Sequence, residues 1–258
     1  MRLREIHSKS NPFYKQLKSI LSGKGVKKYG KSLVFGRKIV SEVSRERSDL
    51  VYAVCAKKKH LSKITETVDD SSIIPVYVLG SDLFGKIDVF GIDQPFLVLR
   101  TPEIPTWNPQ QVPSHGCILF VPFQDPANVG AVIRSCVGFD VTQVVLLEEA
   151  ANPYHHKSIR ASSGAIFKAP LYRGPSLKNL PYFPHLFGLD VAGLDIESFE
   201  FPDLFMLVPG LEGPGIPTEL KAKSLRIPTS PVLESLNVVV AVSIALYEWR
   251  RRVRPVQV

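Results

Sequence analysis

Apolar residues recur along this chain with two periods that alternate. Phe13, Leu17, Ile20 and Leu21 stand at helical spacing behind Asn11-Pro12. An asparagine cap followed by proline at the first helical position predicts a helix there. Gly23, Gly25 and Gly30 then break the pattern. Short apolar runs follow at 33–35, 50–55, 75–78 and 96–99, with the length and β-branched content of strands. Helical spacing fills the gaps at 37–46, 57–65 and 81–86. Alternation of strand and helix predicts a small α/β domain over residues 1–100.

Residues 101–114 carry Pro102, Pro105, Pro109 and Pro113 and show no apolar period. Prolines stiffen a spacer and prevent helix, so this stretch reads as a linker. Alternation resumes over 115–258. Strands are expected at 117–121, 143–147, 185–188, 204–208 and 224–227, and helices at 129–137, 157–161, 218–222 and 236–252. The strand runs are almost continuously apolar, which predicts a parallel sheet covered on both faces. The last helix is apolar on most faces, so it is expected to be buried, partly in a partner subunit.

Composition adds a class. The hydrophobic fraction of 45% supports a real core. No stretch approaches the ~18 apolar residues of a membrane span, and Met1-Arg-Leu-Arg-Glu-Ile-His7 lacks the apolar block of a secretory signal. A cytoplasmic protein is expected. Cys55, Cys117 and Cys136 share no CxxC spacing and sit in apolar runs, which predicts buried free thiols. His155-His156 has no carboxylate or thiolate at ligand spacing, so no metal is expected.

Charge is unevenly placed along the chain. The net charge is +8, but residues 1–60 hold 16 Lys/Arg against 4 Asp/Glu, while 61–258 hold 16 against 20. A basic third on a near-neutral body is the footprint of a polyanion binder, and nucleic acid fits it better than a merely solvated lysine face. The basic residues do not lie opposite one apolar face, as a membrane-surface helix would require. Lys24, Lys27, Lys28, Lys31, Arg37 and, from the second block, Arg160 are the candidate nucleic-acid contacts.

Three polar segments interrupt the second block, each directly after an expected strand. They are Asp125-Pro-Ala-Asn-Val-Gly-Ala-Val-Ile-Arg134, Gly210-Leu-Glu-Gly-Pro-Gly215 and Ile227-Pro-Thr-Ser-Pro-Val-Leu-Glu-Ser-Leu-Asn237. Ligand sites of open α/β sheets lie at the strand carboxyl ends. Each segment admits a plainer reading. Asn128 and Ser235 suit helix caps, and Glu212 suits a solvated glycine turn. That turn lacks the Lys-Ser/Thr of a P-loop and the spacing of a dinucleotide fingerprint. An acidic residue in it fits a neutral or cationic ligand better than a phosphate.

Taken together, the segments resemble the three signature motifs of the SpoU/TrmH family, the RNA ribose 2'-O-methyltransferases of the SPOUT superfamily. Arg160-Ala-Ser-Ser-Gly-Ala165 resembles a further family stretch. Leu33-Val-Phe-Gly-Arg-Lys-Ile-Val40 resembles, more weakly, the small ribosomal-protein-like substrate-binding domain that many members carry. The resemblance implies a SPOUT-type parallel sheet with a deep trefoil knot, S-adenosylmethionine as cofactor, and a homodimer with the closing helix in its interface. It implies a catalytic set of Arg134, Asn128, Glu212, Ser235 and Asn237. It implies a cofactor set of Val208, Pro209, Gly210, Leu211, Gly215, Ile227, Pro228, Thr229, Leu236 and Asn237. The reaction it implies is methylation of a ribose 2'-hydroxyl in structured RNA, with ribosomal RNA first and transfer RNA second. A non-catalytic RNA binder that keeps the fold is the alternative, and a protein-interaction module with an incidental basic surface is a third. The chain departs from the pattern at Pro209, at Thr229-Ser230-Pro231, at Phe139-Asp140 where glycine is common after the first helix, and in a short loop between Gly210 and Ile227.

Overall fold

A computed structural model describes residues 2–67, 74–210, 223–232 and 234–253. The expected helix at 218–222 lies outside the described residues. The chain divides into two compact units, the first comprising Met1–Glu103 with Asn152–Phe167, the second Ile104–Ala151 with Lys168–Val258.

In the first unit, β1 (Arg2–Ile6), β2 (Lys31–Val34), β3 (Val51–Ala56), β4 (Pro75–Leu79) and β5 (Phe96–Arg100) form a sheet in the order β1-β4-β3-β5-β2. β1, β4 and β3 run parallel, and β5 is antiparallel to both β3 and β2. The sheet is therefore mixed, and β2 points the same way as β3. β1 is an edge strand whose charged alternation, Arg-Leu-Arg-Glu-Ile, gives little apolar signal. Its Arg4 guanidinium donates to the Tyr77 hydroxyl at 3.0 Å on the neighbouring strand.

Helix α1 (Pro12–Ile20) is capped by Asn11, whose Oδ1 accepts from the backbone N–H of Phe13 at 2.9 Å and of Tyr14 at 3.3 Å. It buries Tyr14, Leu17 and Ile20. The glycines that follow do not end helical structure. Ser22 caps a second helix, α2 (Gly23–Tyr29), which Gly30 closes at a φ of 56°. Gly25 lets α2 approach α1, since a Cβ there would collide with the Ser19 carbonyl oxygen. Helices α3 (Arg37–Glu46), α4 (Ser62–Thr67) and α5 (Ser81–Gly85) complete the alternation.

The segment Asn152–Phe167, which the sequence reading groups with 115–258, packs with the first unit. It carries α6 (His156–Ala161) in its middle. His155 Nδ1 accepts from the Lys157 N–H at 3.3 Å, so Nε2 carries the proton that reaches the Leu21 carbonyl at 3.1 Å. His156 is buried edge-on to the rings of Phe35 and Phe90, with centroids 6.2 and 5.5 Å away. Burial pushes its imidazole down to about 3, with His155 and Lys157 lowering it further. Both histidines are thus held by backbone and aromatic contacts.

In the second unit, β6 (Gly116–Val121), β7 (Gln143–Leu146), β8 (Leu171–Arg173), β9 (Leu186–Asp195), β10 (Leu204–Pro209) and β11 (Ser224–Arg226) form one sheet. Among the described residues its order is β11-β9-β10-β6-β7-β8, with every pairing parallel. This is the expected α/β architecture with a parallel sheet. β9 runs well past the expected 185–188, and its second half is half-exposed, with Val191 65% and Leu194 63% accessible. Such a strand lacks the apolar run by which the others are recognised. The short β8 escaped the sequence reading for the same reason.

The proline-rich stretch is no free linker. Trp107 is buried among Phe120, Val145, Leu147 and Met206, and its indole N–H donates to Gln143 Oε1 at 3.0 Å. Its backbone also bonds to Arg173 on β8.

After β6 comes α7 (Pro126–Gly138), capped by Asp125, whose Oδ1 accepts from the Ala127 N–H at 2.9 Å. It ends in a Schellman closure, Val141 N–H to Cys136 C=O at 2.9 Å and Asp140 N–H to Val137 C=O at 3.4 Å. Asp140 takes the left-handed position at φ 55°, which explains why glycine is common there. The Arg250 guanidinium holds its carboxylate at 2.7 Å. The closing helix α8 (Val238–Arg252) packs on α7, with Ser135 and Ser243 hydroxyls 2.8 Å apart. Cys55, Cys117 and Cys136 are buried and free, and burial raises all three thiols above their ordinary range.

Candidate active site

A cavity of about 510 Å³ opens at the carboxyl end of the second sheet. Its walls come from the sheet and from the segment that enters α8. β10 ends in it with Pro209 and Gly210, and β11 flanks it with Leu225 and Ile227. Leu189, Asp190 and Val191 from β9 form a third side, and Thr229, Glu234, Ser235, Leu236, Asn237, Val238 and Ala241 close it. The volume is that of a site for a drug-sized ligand.

Local sequence explains this geometry. Val208 faces the sheet core at 0% exposure, so β10 delivers the next two residues to its open end. Asn237 caps α8, its Oδ1 accepting from the N–H groups of Val239 at 2.9 Å and Val240 at 3.4 Å. That fixes where the preceding Ser235 and Leu236 turn into the cavity. Gly193 on β9 lets β11 come close, since a Cβ there would meet the Ser224 backbone at 2.5 Å.

The electrostatics are one-sided. Asp190 and Glu234 contribute carboxylates, and no lysine or arginine lines the cavity among the described residues. The remaining wall is mostly aliphatic. This surface suits a cationic ligand with an apolar, flat portion and disfavours a phosphate ester.

Of the residues expected to hold a cofactor, Pro209, Gly210, Ile227, Thr229, Leu236 and Asn237 line the cavity. Val208 and Pro228 do not, Val208 being in the core. Leu211 and Gly215 lie outside the described residues, as does Glu212 of the expected catalytic set. Ser235 and Asn237 of that set are in the wall, whereas Asn128 and Arg134 are not. Both belong to α7, which starts at Pro126 under its Asp125 cap, so Asn128 lies within the helix and is not its cap. A regular helix sets Asn128 and Arg134 about 120° apart and ~9 Å along the axis. Asn128 is at the end of α7 that follows the β6 carboxyl terminus, and Arg134 is exposed farther along.

The sequence reading missed Leu189, Asp190, Val191, Leu225, Glu234, Val238 and Ala241. The first three sit on the half-exposed part of β9, where apolar periodicity carries no signal. Val238 and Ala241 looked like ordinary helix residues. Glu234 lay inside a motif already quoted, and its acidity was the available clue.

The expected RNA contacts divide between the two ends of the first unit's sheet. Lys24, Lys27 and Lys28 are exposed on α2, ahead of the start of β2. Lys31 opens β2, with its ammonium 3.6 Å from the Tyr52 ring centroid and 3.3 Å from Gln16 Oε1. Arg37 follows the other end of β2. The Arg160 guanidinium lies 4.1 Å over the Phe90 ring. Lys57 and Lys59, at the carboxyl end of β3, both contact Asp93 at 2.7 Å. These two ammonium groups hold the Asp93 carboxyl far below its ordinary range.

No group of three or more metal-ligating side chains occurs among the described residues, and no described helix is long and apolar enough to cross a membrane.

A profile of the SpoU rRNA methylase family matches residues 116–247. The chain is 41% identical over 248 residues to ribosomal RNA small subunit methyltransferase G 2 of Syntrophobacter fumaroxidans, covering 96% of this chain and 49% of that protein. It thus spans about half the length of that relative. It is 28% identical over 261 residues to the 23S rRNA (guanosine(2553)-2'-O)-methyltransferase RlmP of Bacillus subtilis, covering 96% of this chain and 100% of that one. Among solved structures, an AdoMet-bound rRNA methyltransferase from Sinorhizobium meliloti superposes with a TM-score of 0.76 at 18% identity, over 98% of this chain and 99% of that one. That last likeness is one of fold.

Proposed function

The chain belongs to the SpoU rRNA methylase family, and we propose that it is an S-adenosylmethionine-dependent RNA 2'-O-ribose methyltransferase acting on ribosomal RNA. The observation that carries this reading is the cavity at the sheet's carboxyl end, aliphatic on most sides and bearing two carboxylates with no described cation. S-adenosylmethionine, when bound, supplies an electrophilic methyl group on a sulfonium. Its positive charge and flat adenine match that wall. The relative from Bacillus subtilis is named for 2'-O-methylation of a 23S guanosine, and the structure from Sinorhizobium meliloti is of an AdoMet-bound protein.

Pro209, Gly210, Ile227, Thr229, Leu236 and Asn237 would hold the cofactor, with Val208, Leu211, Gly215 and Pro228 added from the family resemblance. Asp190 and Glu234 would face its cationic portion. Arg134 would act on the RNA side. A ribose hydroxyl is a weak nucleophile and must lose its proton as the new bond forms. An arginine stays protonated, so it is a poor base for that proton. Its guanidinium instead stabilises the developing alkoxide and grips a neighbouring phosphate. The proton leaves to an RNA phosphate oxygen or to water. Asn128, Glu212, Ser235 and Asn237 would orient the reacting groups.

The reading extends to the architecture. The family resemblance adds a knotted carboxyl-terminal segment to the parallel sheet. Exposed Val240 and Tyr247 on α8 support a homodimer through that helix. The basic first unit, the proposed RNA substrate-binding domain, would position the RNA, mostly through phosphates.

Cofactor binding tests the cavity assignment. Calorimetry should detect S-adenosylmethionine binding by the intact chain, and Ala241→Phe, which fills the cavity, should abolish it without unfolding the protein. Binding unchanged in Ala241→Phe would move the cofactor elsewhere.

A further inference from the structure

The first unit holds a second concavity, of about 340 Å³, walled by Lys9, Tyr14, Lys15, Lys18 and Lys86. None of these residues is among the expected RNA contacts. Lys9 follows the carboxyl end of β1, and Lys86 follows α5, which itself follows β4. Tyr14 and Lys15 lie on one turn of α1 and Lys18 on the next. Four ammonium groups therefore converge at the carboxyl ends of two adjacent parallel strands, a usual place for ligands in α/β units.

The charge there is poorly compensated. Asp82 is the carboxylate at hand, and it pairs with Lys86 at 3.1 Å. Lys9 and Lys86 are close enough that the Lys86 ammonium holds Lys9 below its ordinary range. An anion placed among them would relieve that repulsion.

A second observation points the same way. Tyr14 is 3% exposed, and its hydroxyl has no hydrogen-bond partner among the described residues. A buried hydroxyl left unpaired is costly, and such groups ordinarily find a partner. Burial pushes the Tyr14 phenol up from its ordinary pKa, so it remains a neutral donor. The wall thus presents ammonium and hydroxyl donors. It offers no exposed aromatic face on which a base could stack.

We propose that this concavity is a phosphate site that takes a backbone phosphate of the RNA, with the four lysines as its cationic wall and the Tyr14 hydroxyl as a donor. The assignment rests on the reading of the chain as an RNA methyltransferase, and it adds a substrate contact remote in sequence from the methyl-transfer motifs.

The test compares intact protein, the double variant Lys15→Gln/Lys18→Gln and Tyr14→Phe, using deproteinised ribosomal RNA as the probe over a series of KCl concentrations. Lys15 and Lys18 are exposed, so their variants retain the fold. The double variant should weaken RNA binding about tenfold and reduce the slope of log K against log salt by about 1 to 2. Tyr14→Phe should weaken binding by roughly threefold or more while its Tm is unchanged or higher, because it deletes an unpaired buried hydroxyl. Affinity for S-adenosylmethionine should be unaffected in both. Wild-type affinity and slope in both variants, with intact protein still methylating RNA, would overturn the phosphate site and leave the proposed function standing. Failure of intact protein to bind or methylate RNA, with lysine-dependent binding of polyglutamate instead, would overturn both and point to an acidic protein partner. A lowered Tm in Tyr14→Phe at unchanged RNA affinity would overturn the donor role by making the tyrosine structural.

Discussion

Arg134 and Asn237 divide the proposed chemistry between substrate and cofactor. Arg134 lies outside the cavity wall, so Arg134→Lys should reduce kcat/KM for RNA by about a hundredfold, within the range for losing a preorganised cationic donor. Calorimetric affinity for S-adenosylmethionine should stay within about twofold. A variant that kept most of its turnover would rule out a specific guanidinium role. Asn237 does two things, capping α8 and lining the cavity. Asn237→Ala should cost about 1 kcal/mol in a urea titration through the lost cap, and it should also weaken cofactor binding. Several residues of the cavity wall were legible as motif residues: Pro209, Gly210 and Thr229 follow strands that apolar runs mark, and Ile227 ends one. Asp190 was not, since a carboxylate next to a cavity has no sequence pattern of its own, and Glu234 stands in the third motif with only its acidity as a clue.

Among the elements, α1 was readable because one asparagine and one proline specify its start, and the structure shows that cap. α2 was not, because its glycines serve close packing against α1 and a left-handed end. β1, β8 and the outer half of β9 carry too few apolar positions to register. The end of α7 gives a sharp test. Asp140→Gly should be neutral or stabilising and Asp140→Ala destabilising by about 1 kcal/mol, because alanine gains nothing at positive φ and loses the Arg250 pair. Thermal melts of the two variants decide it. His156 gives another. Its folded value, about 3, lies below the ordinary 6.5, so the unfolded chain binds one more proton between those limits. Its contribution is therefore intact above pH 6.5 and is lost as the pH falls toward 3. His156→Leu should show a shallower fall of the urea midpoint between neutral and mildly acidic pH than the parent protein.

At the scale of the molecule, the two α/β blocks were legible from alternating periods, and the charge asymmetry between them from counting. The excursion of Asn152–Phe167 into the first unit was not, because it is specified by tertiary contacts of His155, His156 and Arg160 with residues far away in sequence. Nor was the packing of the proline-rich stretch, which one tryptophan anchors. If the apolar face of α8 is the dimer interface, Val240→Glu/Tyr247→Glu should shift sedimentation from dimer to monomer. The central claim is the reaction. Intact protein incubated with methyl-labelled S-adenosylmethionine and, separately, deproteinised ribosomal RNA and transfer RNA should place label in an alkali-resistant dinucleotide of the ribosomal RNA, because a 2'-O-methyl group protects its own linkage. Label on a base, or label confined to transfer RNA, would contradict the account.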